Sequence, residues 1–136
     1  MTAAHDAARA PRVGCDLQAV APVAEAIAHR GERYLRAVLA PEEVSALAAG
    51  GGTPSAESVA GRFAAKEAVL KVLRPGTRDA VAWPQIVIRS DAHGVPAVQL
   101  RGEAALLADR AGLRHWSLST SHDGGFAMAV ACATAQ

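Results

Sequence analysis

Asp16, Glu67 and Lys71 are the residues whose types could carry chemistry, together with Lys66, Arg62 and a Ser121-His122-Asp123 run. Asp16 lies in the apolar stretch Val13-Gly14-Cys15-Asp16-Leu17, where a carboxylate needs a partner or a cation. The alternative is that Asp16 caps the helix that follows. Glu67 and Lys71 stand four apart, so on a helix they share one face; alone they could be an ordinary pair worth about 0.2–0.5 kcal/mol. Two carboxylates on elements expected to touch, with a lysine one turn away, fit a magnesium and phosphate site. Magnesium takes oxygen ligands and needs only one or two carboxylates beside water and phosphate oxygens. No cysteine or histidine pair has zinc spacing. A serine hydrolase built on Ser121 and His122 fails, because adjacent strand residues point to opposite faces.

These residues need elements to position them. The run from Ser55 to Leu73 contains no proline and is rich in Ala, Leu, Lys and Glu, so it predicts a long central helix. Pro54 and Ser55 suit its entrance, and Arg74-Pro75-Gly76 supplies the stop. Ala65, Val69, Val72 and Leu73 form one apolar stripe at helical spacing, away from Glu67 and Lys71.

Before this helix, residues 12–17 read as a short strand and residues 19–30 as a helix that tolerates Pro22 in its first turn. Pro41-Glu42-Glu43 opens another short helix. Gly50-Gly51-Gly52-Thr53-Pro54 is a linker, since no flanking strand or basic residue makes it a phosphate loop. Arg30, Arg33 and Arg36, three residues apart, lie along one helical flank, either as a solvated face or as a docking patch for an acidic partner.

After it, residues 85–89 and 95–100 pair as a hairpin, with Pro96 at an edge or an irregular start. Residues 102–111 form an amphipathic helix with Ala105, Leu106 and Ala108 inward, ending at Gly112. Residues 115–122 and 126–132 form a second hairpin around Asp123-Gly124-Gly125. The fold class is therefore α+β, a small, mainly antiparallel sheet packed on a long central helix.

The chain of 136 residues suits one domain, residues 12–136, behind a flexible N-terminal segment at residues 1–11. Apolar residues make up 51% but aromatics only 4%, so the core packs tightly on small side chains. A net charge of +1 disfavours nucleic acid as a partner. Cys15 and Cys132 read as buried thiols in a reducing cytoplasm. No segment resembles a signal peptide or a membrane span, so the expected location is cytoplasmic.

Three motifs in order carry a resemblance. Val13-Gly14-Cys15-Asp16-Leu17 resembles the Gly-x-Asp-Ile/Leu motif of the 4′-phosphopantetheinyl transferases of the holo-[acyl-carrier-protein] synthase type. Residues 61–71, Gly-Arg-Phe-Ala-Ala-Lys-Glu-Ala-Val-Leu-Lys, are similar to their second motif, and Ser119-Thr120-Ser121-His122 followed by Ala127-Met128-Ala129-Val130 to their last. The resemblance implies that family's fold, and transfer of the 4′-phosphopantetheine arm of coenzyme A to a serine of an apo acyl or peptidyl carrier protein, with magnesium. Asp16 and Glu67 would be the metal ligands, and Asp16, Glu67 and Lys71 the catalytic residues, Glu67 taking the serine proton. Coenzyme A would be held by Arg62, Lys66, Lys71, Pro75, Gly76, Thr77, Pro96, Ser121 and His122. Short members of the family form homotrimers with active sites shared between subunits.

Two departures stand out. Pro22 occupies a position where the family often has a basic residue that meets the acidic helix of the carrier. Recognition would then run through Arg30, Arg33 and Arg36 or through a more apolar contact, which points to a specialised carrier in place of, or beside, the fatty-acid one. The usual Lys-x-x-Gly-Thr-Gly is stretched to Lys71-Val72-Leu73-Arg74-Pro75-Gly76-Thr77, so Arg74 would reach a phosphate or the adenine pocket is reshaped. The alternatives are a carrier-binding homologue without catalysis and a magnesium-dependent phosphoesterase, which would need more acids than the loop residues Asp79 and Asp91.

Overall fold

Every second residue of the last strand is a wholly buried alanine, Ala127, Ala129, Ala131 and Ala133, and this row lets a long helix lie close against the sheet. The computed structural model describes residues 10–135, so the flexible segment expected at residues 1–11 lies outside the described residues for positions 1–9. Strand β1 (Arg12–Ala19) leads into α1 (Val20–Arg30), α2 (Glu32–Val38), α3 (Pro41–Leu47) and the central α4 (Ala56–Leu73). A short 3-10 turn (Trp83–Gln85), β2 (Ile86–Ser90), β3 (Pro96–Leu100), α5 (Gly102–Arg110), β4 (His115–Asp123) and β5 (Phe126–Thr134) complete the chain.

The strands make two antiparallel sheets, β1-β5-β4 and β2-β3. First and last strands are therefore partners: Gly14 faces Ala131, Asp16 faces Ala129 and Gln18 faces Ala127. In β4, Leu118, Thr120 and His122 continue the same three rows. The β4–β5 turn uses Gly124 and Gly125 at φ 56° and 83°, the doubly positive geometry of a tight hairpin.

Helix α4 begins at Ser55, whose hydroxyl accepts the Ser58 amide at 3.1 Å, a cap worth about 1 kcal/mol. It ends at Arg74 in the left-handed region, φ 53°, ahead of Pro75. The expected stripe Ala65, Val69, Val72 and Leu73 is buried, but so are Val59, Ala60, Ala64 and Ala68. The helix is thus enclosed on several sides rather than on one stripe. Its C-terminal half packs with Ile86, Ile88, Leu107 and the alanines of β5. Its first turns meet Val23, Leu35, Val38 and Leu39 from α1, α2 and the residue after α2. Each large aliphatic side chain so buried contributes roughly 1.5–3 kcal/mol.

Four expectations need correction. In α5 the inward residues are Ala104, Leu107 and Ala108, while Leu106 is exposed and Ala105 only partly covered. The helix starts where expected, at Gly102, but the face at i, i+3, i+4 spacing that joins the core with the central helix is the one carrying Ala104, Leu107 and Ala108, which leaves Leu106 on the solvent side. Cys15 is exposed and Cys132 half-buried, since both fall on the outer face of the sheet, opposite the alanine row. The chain breaks at Gly31, so Arg30 belongs to α1 and Arg33 and Arg36 to α2; they share no single flank. Asp16 caps nothing: β1 runs on past it and α1 starts after Ala19.

Candidate active site

The site is built where α4 crosses β1. A Cβ at Gly14 would stand 2.2 Å from the Ala68 carbonyl oxygen and 3.1 Å from Lys71 Cβ, so only glycine admits the helix this close. Two residues further along the same strand face, Asp16 meets that helix. Lys71 Nζ donates to the Cys15 carbonyl at 2.8 Å and to Asp16 Oδ1 at 3.3 Å. Gln18, next on this face, donates to Asp16 Oδ2 at 2.8 Å. The Asp16 side chain is 13% exposed and that of Lys71 53%, so the carboxylate is sheltered and the ammonium reaches solvent.

Glu67 lies one turn before Lys71 and is half-buried. Burial raises its carboxyl above the ordinary value, the negative charge of Asp16 raises it further, and Lys71 opposes both. Two carboxylates that repel each other in a sheltered place favour a cation between them. The donors are all oxygen, which suits a hard divalent ion completed by water or phosphate. Among the described residues no group of three or more His, Cys, Asp or Glu side chains meets, which leaves the remaining coordination positions to such small ligands.

Towards the start of α4 lies a cleft of about 210 Å³, lined by Glu57, Ser58, Gly61, Arg62, Ser121 and His122 among others. His122 Nδ1 lies 2.7 Å from Glu57 Oε1, and the imidazole is 67% exposed at the cleft. Arg62 donates from one terminal nitrogen to Ser90 Oγ at 3.3 Å, while its Nε is buried with no hydrogen-bond partner. Burial lowers the Arg62 pKa and the nearby Glu43 charge opposes the shift. A guanidinium with an unused donor beside a histidine is equipped to hold phosphate oxygens. Ser121 and His122 occupy opposite sheet faces, as alternation requires, and both reach the rim of this cleft.

Lys66 is the clear correction. It was expected on a phosphate, yet its side chain is fully buried and spends its three donors inside the protein. Nζ donates to Glu43 Oε1 at 2.5 Å, to the Ile86 carbonyl at 2.5 Å and to the Trp83 carbonyl at 3.0 Å. On α4 it points away from Glu67 and the sheet, towards α3 and β2. Pro75, Gly76, Thr77 and Pro96 line neither the Arg62–His122 cleft nor the neighbouring one around Gly124. Gly76 is engaged locally, its amide donating to Asp79 Oδ2 at 2.6 Å. The sequence reading missed Gln18, Glu57 and Glu43. Strand alternation from Asp16 pointed to Gln18; Glu57 and Glu43 meet their partners only through tertiary packing.

Residues 12–131 match the family model of the 4′-phosphopantetheinyl transferase superfamily. The holo-[acyl-carrier-protein] synthase of Herpetosiphon aurantiacus is 37% identical over 122 residues, 85% of this chain and 92% of that one. That of Beutenbergia cavernae is 39% identical over 121 residues, covering 89% and 95%. Among solved structures, the ACPS–CoA complex of Chronobacterium ammoniagenes superposes with a TM-score of 0.79 at 31% identity, over 93% of this chain and 98% of that one. The Helicobacter pylori holo-[acyl-carrier-protein] synthase in complex with coenzyme A gives 0.77 at 28% identity, over 90% and 99%.

Proposed function

This chain belongs to the 4′-phosphopantetheinyl transferase superfamily, and on that premise we propose how its residues carry 4′-phosphopantetheine from coenzyme A to an apo carrier protein. The observation that carries the assignment of roles is the Asp16–Glu67–Lys71 cluster at the glycine crossing. The carrier serine oxygen attacks the phosphorus that bears the pantetheine arm. A new P–O bond forms, the pyrophosphate P–O bond breaks, and adenosine 3′,5′-bisphosphate leaves. Glu67, with its raised pKa, accepts the serine proton directly or through a water. Lys71 balances the charge of the leaving phosphate. Arg62 and His122 grip the phosphates of coenzyme A, with Ser121 at the rim. Asp16 and Glu67 would hold magnesium, which when bound draws charge from the phosphate under attack. Much of the rate then comes from positioning and charge stabilisation.

We further propose a homotrimer with sites shared between subunits. The outer face of the three-stranded sheet supports it: Val13 and Leu17 are 62% and 61% exposed, and Phe126 and Met128 stand exposed beside them. A continuous apolar face of this kind marks an interface. Pro75, Gly76, Thr77 and Pro96, which line neither the Arg62–His122 cleft nor the one around Gly124, would complete the nucleotide pocket of a neighbour. A specialised carrier fits the exposed, uncharged start of α1, Ala21, Pro22 and Ala24. No helix among the described residues is long and apolar enough to cross a membrane. The free thiols of Cys15 and Cys132 agree with a reducing cytoplasm.

The test is intact-protein mass spectrometry of several apo carriers incubated with this protein, coenzyme A and magnesium. One phosphopantetheine gained on a carrier, and lost with Glu67→Gln, supports the assignment. No gain on fatty-acid, polyketide or peptide carriers would turn it towards a carrier-binding protein without catalysis.

A further inference from the structure

We propose that the buried Lys66–Glu43 pair is a positioning device that sets the rotation of α4 about its axis, and so aims Glu67 at Asp16 and Arg62 into the cleft. Three observations lead there. First, apolar burial does not fix that rotation. Val59, Ala60, Ala64, Ala65, Ala68 and Val69 are all buried and surround the helix, so no single stripe defines one orientation. On the sheet side β5 offers a row of alanines, with Leu118 the one larger buried side chain beside them; Gly14 fixes how closely the helix approaches, and small side chains leave its rotation loosely held.

Second, the polar contacts of Lys66 are saturated and directional. An ammonium has three donors, and each meets an acceptor from a different element: Glu43 of α3, the Trp83 carbonyl of the 3-10 turn and the Ile86 carbonyl of β2. Glu43 is equally engaged, Oε1 also accepting the Ala40 amide at 2.9 Å and Oε2 the Ile88 amide at 3.1 Å. A fully satisfied buried network is costly to rearrange, so it specifies one arrangement where apolar packing tolerates several.

Third, the residues fixed by the clamp include those of the site. Glu67 is the next residue after Lys66 and Arg62 lies one turn before it. Glu43 also acts on the Arg62 guanidinium electrostatically. A helix roll would swing the Glu67 carboxyl away from Asp16 while leaving the helix intact.

The proposal rests on the functional reading above, and its test separates the two. The double variant Lys66→Met with Glu43→Gln removes both charges and keeps a side-chain carbonyl oxygen for a backbone amide. Binding of Mn2+ in the presence of coenzyme A, without carrier, is followed by the electron paramagnetic resonance signal of free Mn2+. The expected result is a cooperatively melting protein whose Mn2+ affinity is about tenfold weaker, with a higher metal requirement for transfer. A folded variant with unchanged Mn2+ affinity overturns the proposal and leaves the pair a stability element. If the double variant does not melt cooperatively, Glu43→Asp, which keeps both charges but shortens the arm by one methylene, decides by the same two outcomes. A wild-type protein that binds Mn2+ with coenzyme A yet modifies no carrier would overturn the functional reading and leave the clamp standing on its binding result.

Discussion

Lys66 Nζ and Glu43 Oε1 lie 2.5 Å apart with both side chains fully out of solvent, so a lysine of the most informative motif serves the interior and not a ligand. Burial lowers the pKa of Lys66, and Glu43 opposes that shift by its charge and its hydrogen bond. Removing one partner leaves the other charge buried and unpaired. Lys66→Ala is therefore expected to cost about 3–5 kcal/mol of stability, read as a lower denaturation midpoint at unchanged slope. A lysine held only by a phosphate would leave the unliganded midpoint nearly where it was.

Gly14 makes the complementary contact on the sheet side. A methyl at this position meets the Ala68 carbonyl oxygen at 2.2 Å, and backbone must give way. Gly14→Ala should lose about 1–3 kcal/mol. Transfer should fall further than the unfolded fraction explains, because Asp16 and Lys71 move apart. Activity at a temperature where the variant is fully folded measures that excess; full activity there would exclude it.

Glu67→Gln should reduce carrier modification by about 10²–10⁴-fold while raising stability at neutral pH. The raised pKa means that the folded chain binds a proton more tightly than the unfolded one. That contribution is present below the ordinary glutamate value and lost as pH rises through the raised one. In metal-free buffer the variant should melt above the wild type at pH 7.5. The gap should narrow as pH falls through the glutamate range. Equal melting temperatures at pH 7.5 would count against the burial and the Asp16 charge that hold this carboxyl up.

Arg62→Lys keeps the charge and removes the fork of donors, including the unpartnered Nε. The KM for coenzyme A is expected to rise about tenfold, equivalent to about 1.4 kcal/mol, with a smaller change in the KM for carrier. A change confined to the carrier would move Arg62 out of the nucleotide site.

Leu17→Asp places a charge on the open sheet face beside Met128. Light scattering should show monomers, and activity should fall by at least about tenfold because each site lacks its neighbour's loop. A fully active monomer would show that one chain completes the site.

What the sequence determined by itself was local. Ser55, Pro54 and Arg74-Pro75 delimit α4 because capping and proline sterics act within a turn. Gly124-Gly125 sets the last hairpin, and the spacing of Glu67 and Lys71 puts them one turn apart. Motif order also carried the family. Tertiary structure decided what depends on distant partners: that β1 pairs with β5, that Gly14 admits Ala68, and that Asp16 answers Lys71 rather than a helix end. It also decided the fate of Lys66. A lysine beside a glutamate on a helix has the same spacing whether it faces a phosphate or a buried carboxylate. Only the packing of α3 and β2 against that side of α4, with Glu43 waiting there, removed Lys66 from solvent.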